Sequence, residues 1–352
     1  MDLKMLKQQK MEINLIDINI TPDLDSIERI PMSDEEYFGP KYSDYTSNSR
    51  LKLINPEKGG SPSKYKTGFK IKNDRSLILG SAVHAGLLSP DEYTLAPDLK
   101  KPTAKLGLVI DKIKEYRDKS YKIIDAVNAA CDEVDYYKGK INNNKLHKII
   151  SEGLYYYLNM PTDKNVIVLP SGARETCINC INNLKSNRAI MDLITPKDIF
   201  GDYIESHNED AFFINFNCSH KDRSCVIKFK MKADNWSIDV DDKKLTLNDL
   251  KTTSSPVEKF MAGSFLTFSY YMQFFIYGYI LSKYCEKAYG YNEDEWTIGY
   301  NVIVVGTRGS NDTAIYKVFD AFIKEGHKEF CKLLKMVAYC EMYGYDDDYM
   351  FM

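Results

Sequence analysis

Apolar and polar residues alternate most regularly over residues 226–253, where the pattern predicts two β-strands joined by a hairpin turn. Ile227, Phe229 and Met231 recur at every second position of the first strand. This is the period of a strand that buries one face and exposes the other. The charged run at residues 241–244 is suited to the turn between the two strands.

The register of this hairpin decides which charged side chains meet. If Val240 pairs with Leu245, Asp234 lies opposite Lys251, and Asp249 lies one diagonal step away. Asp249 and Lys251 also project to the same face of their own strand, because successive side chains alternate. We therefore expect two carboxylates and an amine to converge on one side of a sheet.

The remaining patterns predict a protein of mixed helices and strands. Helical spacing marks residues 97–159, 173–193, 258–284 and 322–343, and strand spacing marks residues 211–217, 296–306 and 314–319. The order is helices, then three strands, a long helix and a further strand. It indicates an α/β (α+β) fold in which a mixed central β-sheet is flanked by helices.

The same patterns suggest how the chain is divided. We expect an N-terminal arm over residues 1–45 with little core of its own, then a main domain over residues 46–320. Residues 97–159 would form a helical insertion or subdomain within that domain. A C-terminal helix and an acidic tail would occupy residues 321–352. A chain of 352 residues can bury a substantial core.

The distribution of charge is more informative than its total. The formal net charge is −3, whereas a protein that coats DNA is usually basic. Lys228, Lys230 and Lys232 occupy alternate positions on the strand that carries Asp234, so they share its face. This basic face either contacts phosphates or is a solvated strand surface.

The cysteines and the apolar segments place the protein in a reducing, aqueous setting. The eight cysteines lack the spacing of a disulfide framework, which predicts free thiols and a cytoplasmic location. Cys177 and Cys180 form a CxxC pair on a predicted helix, whereas zinc sites place this pair on a turn. We therefore expect no structural metal. The apolar run at residues 265–281 contains Gln273 and several tyrosines, which favours a buried helix over a membrane span.

Asp234 and Asp249 carry the side chains that phosphodiester hydrolysis requires. The reaction needs a divalent metal to neutralise charge and an activated water. Mg²⁺ prefers oxygen ligands such as carboxylates, and the backbone carbonyl of Leu250 would add a third oxygen. Lys251 would orient the water or stabilise charge on the phosphoryl group. The alternative is a surface Asp–Lys pair worth less than about 1 kcal/mol.

The order of these motifs resembles a known superfamily. A carboxylate on one strand, Asp-x-Lys on the next and a glutamine on a following helix are typical of PD-(D/E)xK nucleases. Within that superfamily the chain is most similar to the RecE-type exonucleases of phages and prophages, which are akin to RecB-family nuclease domains. The matching stretches, in chain order, are residues 46–65, 80–93, 232–234, 249–253 and 270–277.

The resemblance implies roles for further residues. His84 would be a metal ligand or a phosphate contact, and Gln273 would position the catalytic lysine or the scissile phosphate. Tyr270 and Tyr277 would face the site and contact DNA. Glu209 would be an additional acidic metal ligand. The structural alternatives are a core histidine, packed tyrosines and a solvated loop glutamate.

The resemblance also implies a function. It is that of a Mg²⁺-dependent (or Mn²⁺-dependent) exonuclease that hydrolyses linear double-stranded DNA and generates single-stranded tails for phage recombination. The expected partners are double-stranded DNA, a single-strand annealing protein and further copies of the chain in a homo-oligomer. A membrane is not expected, and the location would be the host cytoplasm for a phage-encoded protein. Two other functions stay open: a non-catalytic DNA-binding or assembly factor on a nuclease fold, and a structure-specific endonuclease.

Overall fold

The protein divides into two compact units. The computed structural model describes residues 11–68, 75–91, 93–95, 102–136, 149–154, 166–169, 172–292 and 294–351. The smaller unit is Asn73–Asn179, and the larger unit comprises the chain before and after it. No helix in the described ranges combines the length and the apolar character needed to cross a membrane.

The described residues form strands and helices with the following bounds. The strands are β1 (Met11–Ile13), β2 (Asn19–Ile30), β3 (Thr94–Leu95), β4 (Val166–Ile167), β5 (Glu205–His220), β6 (Arg223–Asp239), β7 (Lys244–Thr253), β8 (Thr297–Gly306), β9 (Thr313–Lys317) and β10 (Tyr349–Phe351). The helices are α1 (Asp34–Tyr37), α2 (Asn48–Leu51), α3 (Pro62–Thr67), α4 (Arg75–Leu88), α5 (Ala104–Asp118), α6 (Ile123–Val134), α7 (Arg174–Ser186), α8 (Arg188–Ile194), α9 (Tyr270–Tyr289) and α10 (Asp320–Tyr343).

A six-stranded mixed sheet forms the centre of the larger unit. Its strand order is β2-β5-β6-β7-β8-β9. The pair β7 and β8 is parallel, and the other neighbours are antiparallel. Helices flank this sheet, so the predicted fold class is confirmed. The separate strands β1 and β10 pair in parallel.

The alternation along β6 determines which face of the sheet becomes the core. Ile227, Phe229, Met231 and Ala233 are buried, as the period of two predicts. They belong to the same apolar cluster as the inner faces of α9 and α10. The two helices approach closely at Gly326, where an added Cβ would lie 2.9 Å from Phe275 Cβ.

The hairpin exists, but its predicted register is wrong. Asp239 pairs with Lys244, and the ladder continues to Asn235 and Asn248. The partner of each β6 residue is therefore two positions earlier than predicted. A shift of two positions keeps every side chain on its face. Asp249, rather than Lys251, thus occupies the position across from Asp234.

The N-terminal segment is not the separate arm that we expected. Strand β2 pairs with β5 along one edge of the main sheet. Ile18 and Ile27 are buried in the main apolar cluster. The prediction was wrong because β2 lacks a regular alternation: a register shift between Asp23 and Glu28 interrupts it. The acidic tail is likewise engaged, since Asp347 accepts hydrogen bonds from the backbone and side chain of Ser63.

Two predicted helices have different bounds in the structure. The helix expected over residues 173–193 is broken into α7 and α8. The long helix expected from residue 258 begins only at Tyr270, after a 3₁₀ turn at Val257–Lys259 and a π-helical turn at Met261–Phe265.

In the smaller unit, α5 and α6 pack against each other. Their apolar faces meet through Val109, Ile110 and Ile113 on one helix and Ala126 and Val127 on the other. The predicted helical region over residues 97–159 is helical at α5 and α6. Its residues 97–101, 137–148 and 155–159 lie outside the described residues.

Candidate active site

The candidate site lies where β6 and β7 separate. Their ladder ends at Asn235 and Asn248, and beyond this point Thr46 takes the place beside β6. The backbone N–H of Thr46 donates to Lys228 O at 2.8 Å. The neighbouring strands therefore diverge at the positions of Asp234 and Asp249.

Asp234 closes the end of the ladder with its side chain. Its Oδ2 accepts the backbone N–H of Leu250 at 2.7 Å. A buried backbone N–H needs a partner, and the carboxylate supplies it where β6 no longer does. This contact fixes the Asp234 carboxylate beside the Asp249–Lys251 segment.

Asp249 is buried and held from two directions. Gln273 Nε2, on α9, donates to Asp249 Oδ1 at 2.7 Å. Lys251 Nζ lies 2.5 Å from Asp249 Oδ2, although that oxygen accepts no well-directed hydrogen bond. The structure thus brings Asp234, Asp249, Lys251 and Gln273 together.

The ammonium of Lys251 is the central cation of the site. Burial disfavours its charge, but the carboxylates of Asp249 and Asp234 outweigh burial and raise the pKa of Lys251 above its usual value. Lys251 is therefore charged at neutral pH and acts as a donor rather than as a base. Its Nζ also lies 5.1 Å from the centroid of the Tyr270 ring.

The oxygen atoms around Lys251 match those expected to hold a metal ion. Lys251 Nζ donates to the carbonyl of Leu250 at 3.3 Å, in addition to its ion pair with Asp249. Two of the three oxygens predicted as metal ligands therefore converge on one cation. All are hard donors of the kind that Mg²⁺ selects. The residues fit a divalent cation that competes with the ammonium for these oxygens.

Glu209 is a third acid near Asp234. The two carboxylates have oxygens within 4.8 Å of each other. Glu209 has a φ of +56°, an uncommon conformation for this residue type that is often found at functional sites. Lys232 Nζ lies 2.7 Å from Glu209 Oε2 and 2.5 Å from Asp34 Oδ1. Lys232 thus offsets the repulsion between neighbouring acids.

The three lysines of β6 do not form the exposed basic face that their spacing predicts. Lys230 is buried beneath the N-terminal segment: its Nζ donates to the carbonyl of Tyr37 at 2.6 Å and lies 4.4 Å from the Tyr37 ring centroid. The aromatic residues of that segment cover this part of the sheet. The rings of Tyr42 and Tyr45 lie 4.7 and 5.5 Å from the Phe213 ring, and Tyr37 belongs to the same apolar cluster. Lys228 is the most exposed of the three lysines.

The two predicted tyrosines lie beside the acids. Tyr270 stacks on Phe260 with ring centroids 5.9 Å apart. Tyr277 is half-buried, and burial raises the pKa of its hydroxyl, with Tyr37 and then Asp249 adding to this effect. A direct contact of these rings with DNA stays a prediction. His84 lies on α4 in the smaller unit, and its role as a metal ligand also stays a prediction.

A buried ladder of three asparagines lies behind the acids, and we did not predict it. Asn301 Nδ2 donates to Asn248 Oδ1 at 2.8 Å, and Asn248 Nδ2 donates to Asn235 Oδ1 at 2.6 Å. Asn248 and Asn235 also donate to the carbonyls of Leu193 and Ile194 at the end of α8, at 3.0 and 3.1 Å. The ladder ties the three strands together one residue away from Asp234 and Asp249.

A second lysine next to Lys251 also escaped prediction. Lys52 Nζ lies 5.7 Å from the centroid of the Tyr270 ring and donates to the carbonyl of Phe268 at 2.5 Å. Burial lowers the pKa of Lys52 to about 8, and the charges of Lys58 and Lys251 act in the same direction. Lys52 lies within the sequence stretch 46–65 that carries the resemblance, but no spacing pattern singled it out.

Comparison with known proteins gives no close relative. No protein-family model matches the chain, and no curated protein matches it. A presumed exonuclease from Eubacterium rectale aligns over 88% of this chain and 86% of its own, with 12% identity and a TM-score of 0.40. A protein from Vibrio cholerae aligns over 74% of this chain and 52% of its own, with 9% identity and a TM-score of 0.13. Neither likeness assigns a family.

Proposed function

We propose that this protein is a metal-dependent nuclease that hydrolyses phosphodiester bonds in DNA. The observation that carries the proposal is the buried carboxylate of Asp249, held between Gln273 and Lys251 next to Asp234. An ordinary surface ion pair has neither a buried carboxylate nor a hydrogen bond to that carboxylate from a glutamine on a helix. Clustered acids with a charged lysine are suited to binding a cation and a phosphate together.

Each residue then has a defined task. Asp234 and Asp249, joined by Glu209, would hold Mg²⁺ or Mn²⁺, which would neutralise phosphate charge and supply an activated water. Lys251 is charged, so it donates hydrogen bonds to the water or to a phosphoryl oxygen as negative charge develops. Gln273 keeps Asp249 oriented through Oδ1, so that Oδ2, which lies beside Lys251, would be available to the cation.

We further propose that the substrate is linear double-stranded DNA, degraded from its ends. The similarity of the matching sequence stretches to RecE-type exonucleases supports this choice over an endonuclease. The test uses end-labelled linear DNA and closed circular DNA with Mg²⁺, Mn²⁺ or EDTA. We expect digestion of the linear DNA alone, and only with metal. Cleavage of the closed circle would show an endonuclease instead.

The role of Lys251 is tested by Lys251→Met. This variant keeps an unbranched side chain of similar length but lacks the ammonium, so we expect a folded protein that binds DNA but does not cleave it. Lys244→Ala is the matched control, because it removes an exposed lysine at the start of the same strand. Metal-dependent cleavage by Lys251→Met at the wild-type rate would disprove the assignment. Absence of cleavage in the wild type, with DNA binding intact, would favour the non-catalytic factor.

A further inference from the structure

Two cysteines face each other near the end of the hairpin formed by β5 and β6. Cys218 on β5 is the direct partner of Cys225 on β6. Direct partners in an antiparallel ladder project to the same face of the sheet. Their Cα atoms are about 4.5–5.5 Å apart, which lies within the range that a disulfide bond spans. The register therefore brings two thiols within reach of each other without any change of fold.

The two thiols are joined by a hydrogen bond that makes them chemically different. The Cys218 thiol donates to the sulfur of Cys225, and this bond lowers the pKa of Cys225, although burial and the charge of Glu341 oppose the shift. The same bond, followed by burial, raises the pKa of Cys218. The pair thus contains one sulfur biased towards the thiolate and one that keeps its proton.

Cys225 also differs from most other cysteines in its access to solvent. It is half-buried, as is Cys331, whereas the remaining six cysteines are buried. Burial raises the pKa of five other thiols, which are those of Cys131, Cys180, Cys285, Cys331 and Cys340. A reactive cysteine needs both thiolate character and access to the reagent. Cys225 meets the two conditions together, and these five thiols do not.

We propose that Cys218 and Cys225 form a reversible disulfide bond when the protein meets hydrogen peroxide. The Cys225 thiolate attacks one peroxide oxygen, the O–O bond breaks and hydroxide leaves, so that Cys225 becomes a sulfenic acid. The Cys218 sulfur then attacks the Cys225 sulfur, the S–O bond breaks, and the hydroxyl leaves with the Cys218 proton as water. The first hydroxide takes up the proton that Cys225 had released. Two thiols are thus oxidised while one peroxide is reduced to two molecules of water.

The position of the pair in the ladder makes this bond easy to reduce again. Cβ atoms of direct cross-strand partners are about 4.5–5.5 Å apart, whereas a disulfide prefers about 3.8 Å. The ladder must adjust to close the bond, and strained disulfides are reduced more readily than relaxed ones. A reducing cytoplasm, which the cysteine spacing predicts, would keep the pair as thiols until peroxide rises. This inference does not depend on the proposed nuclease activity.

Peptide mapping of the full chain after treatment with hydrogen peroxide tests the proposal. Remaining thiols are blocked with iodoacetamide, and trypsin then cleaves after Lys221 and Arg223. The two cysteines are thereby separated onto residues 198–221 and 224–228. We expect these two peptides to appear as a linked pair. Thiol titration of the denatured protein should show a loss of two of the eight free thiols, and dithiothreitol should restore both.

Three variants separate the roles of the two sulfurs. Cys218→Ser keeps a hydrogen-bond donor beside Cys225 but cannot form the disulfide, so the sulfenic acid of Cys225 should persist and react with dimedone. Cys225→Ser should give no linked pair and no dimedone adduct at Cys218. Cys331→Ser is the matched control, because it removes the other half-buried cysteine and should leave the linked pair unchanged.

The wild-type map decides the question even if a variant does not fold. The proposal is overturned if peroxide produces no linked pair, if Cys225 is linked to a cysteine other than Cys218, or if dithiothreitol does not restore the thiols. Preferential dimedone labelling of Cys331 over Cys225 in Cys218→Ser would overturn the assignment of Cys225 as the sulfur that reacts first.

Discussion

Removing the ammonium of Lys251 should destabilise the larger unit in a way that a divalent cation reverses. The side chains of Lys251 and Asp249 are 16% and 3% exposed, so the pair is largely buried. Lys251→Met leaves the Asp249 carboxylate buried, still held by the Gln273 amide but without its cationic partner. Breaking a buried ion pair in this way costs about 3 kcal/mol or somewhat more.

A bound cation should restore part of this loss. If Mg²⁺ binds the variant with a dissociation constant near 1 mM, then 10 mM Mg²⁺ adds about 1.4 kcal/mol to the free energy of unfolding. The gain should be smaller in the wild type, because there the ammonium competes for the same oxygens. We therefore expect Mg²⁺ to stabilise Lys251→Met more than it stabilises the wild type.

Urea unfolding followed by tryptophan fluorescence measures this effect selectively. The chain has two tryptophans, and both Trp236 and Trp296 belong to the larger unit. The double variant with Asp249→Asn and Lys251→Met is the control, because it removes the unpaired charge together with the lysine. It should be more stable than Lys251→Met and respond less to Mg²⁺. Equal stability of Lys251→Met and wild type, with no response to Mg²⁺, would refute the reasoning.

Three further changes test the surroundings of the site. Gln273→Leu removes the hydrogen bond that orients Asp249 and should lower the cleavage rate about 10- to 100-fold, as is typical when a metal ligand loses its supporting hydrogen bond. Steady-state kinetics would measure this loss. Glu209→Gln should raise the Mg²⁺ concentration for half-maximal activity about 10-fold if Glu209 supports the metal; an unchanged metal titration would exclude it. Burial lowers the pKa of Lys230 to about 8, below its ordinary value near 10.5. The unfolded state therefore holds more protons between these values, so wild-type stability gains from Lys230 as pH rises through this window. The stability of Lys230→Met relative to the wild type should therefore be higher at pH 7 than at pH 10. Thermal unfolding of both proteins at both pH values measures this difference.

Two matching dipeptides in the sequence indicate the register of the hairpin better than its charged turn does. The charged turn alone allows pairings that differ by two residues. Asp234-Asn235 and Asn248-Asp249 are mirror images along the chain, and antiparallel pairing of equal residues reproduces the observed register. The faces were predictable regardless, because they depend only on the alternation of side chains.

The spacing of the three lysines does not predict which of them are exposed to solvent. A period of two places Lys228, Lys230 and Lys232 on one face, and this is correct for the strand itself. Whether that face meets solvent depends on a segment far away in sequence, which packs Tyr37 over Lys230. Such long-range coverage has no signature in a local pattern, and for the same reason the sequence of β2 does not show that it pairs with the main sheet.

The contact between Gln273 and Asp249 illustrates what motif order can and cannot supply. The helix with its glutamine was predictable after the Asp-x-Lys strand, but its start at Tyr270 follows from a π-helical turn that no periodicity indicates. The asparagine ladder needed three strands in known register before its members could be matched. Sequence therefore located the acids and the lysine, and the structure supplied the groups that hold them.

Binding of Mn²⁺, followed by electron paramagnetic resonance, most directly tests a cation site between Asp234 and Asp249. We predict that the wild-type protein binds Mn²⁺, that Lys251→Met binds it more tightly, and that a variant with both Asp234→Asn and Asp249→Asn loses this binding. Equal Mn²⁺ binding by the wild type and the double asparagine variant would contradict a metal site at these two acids.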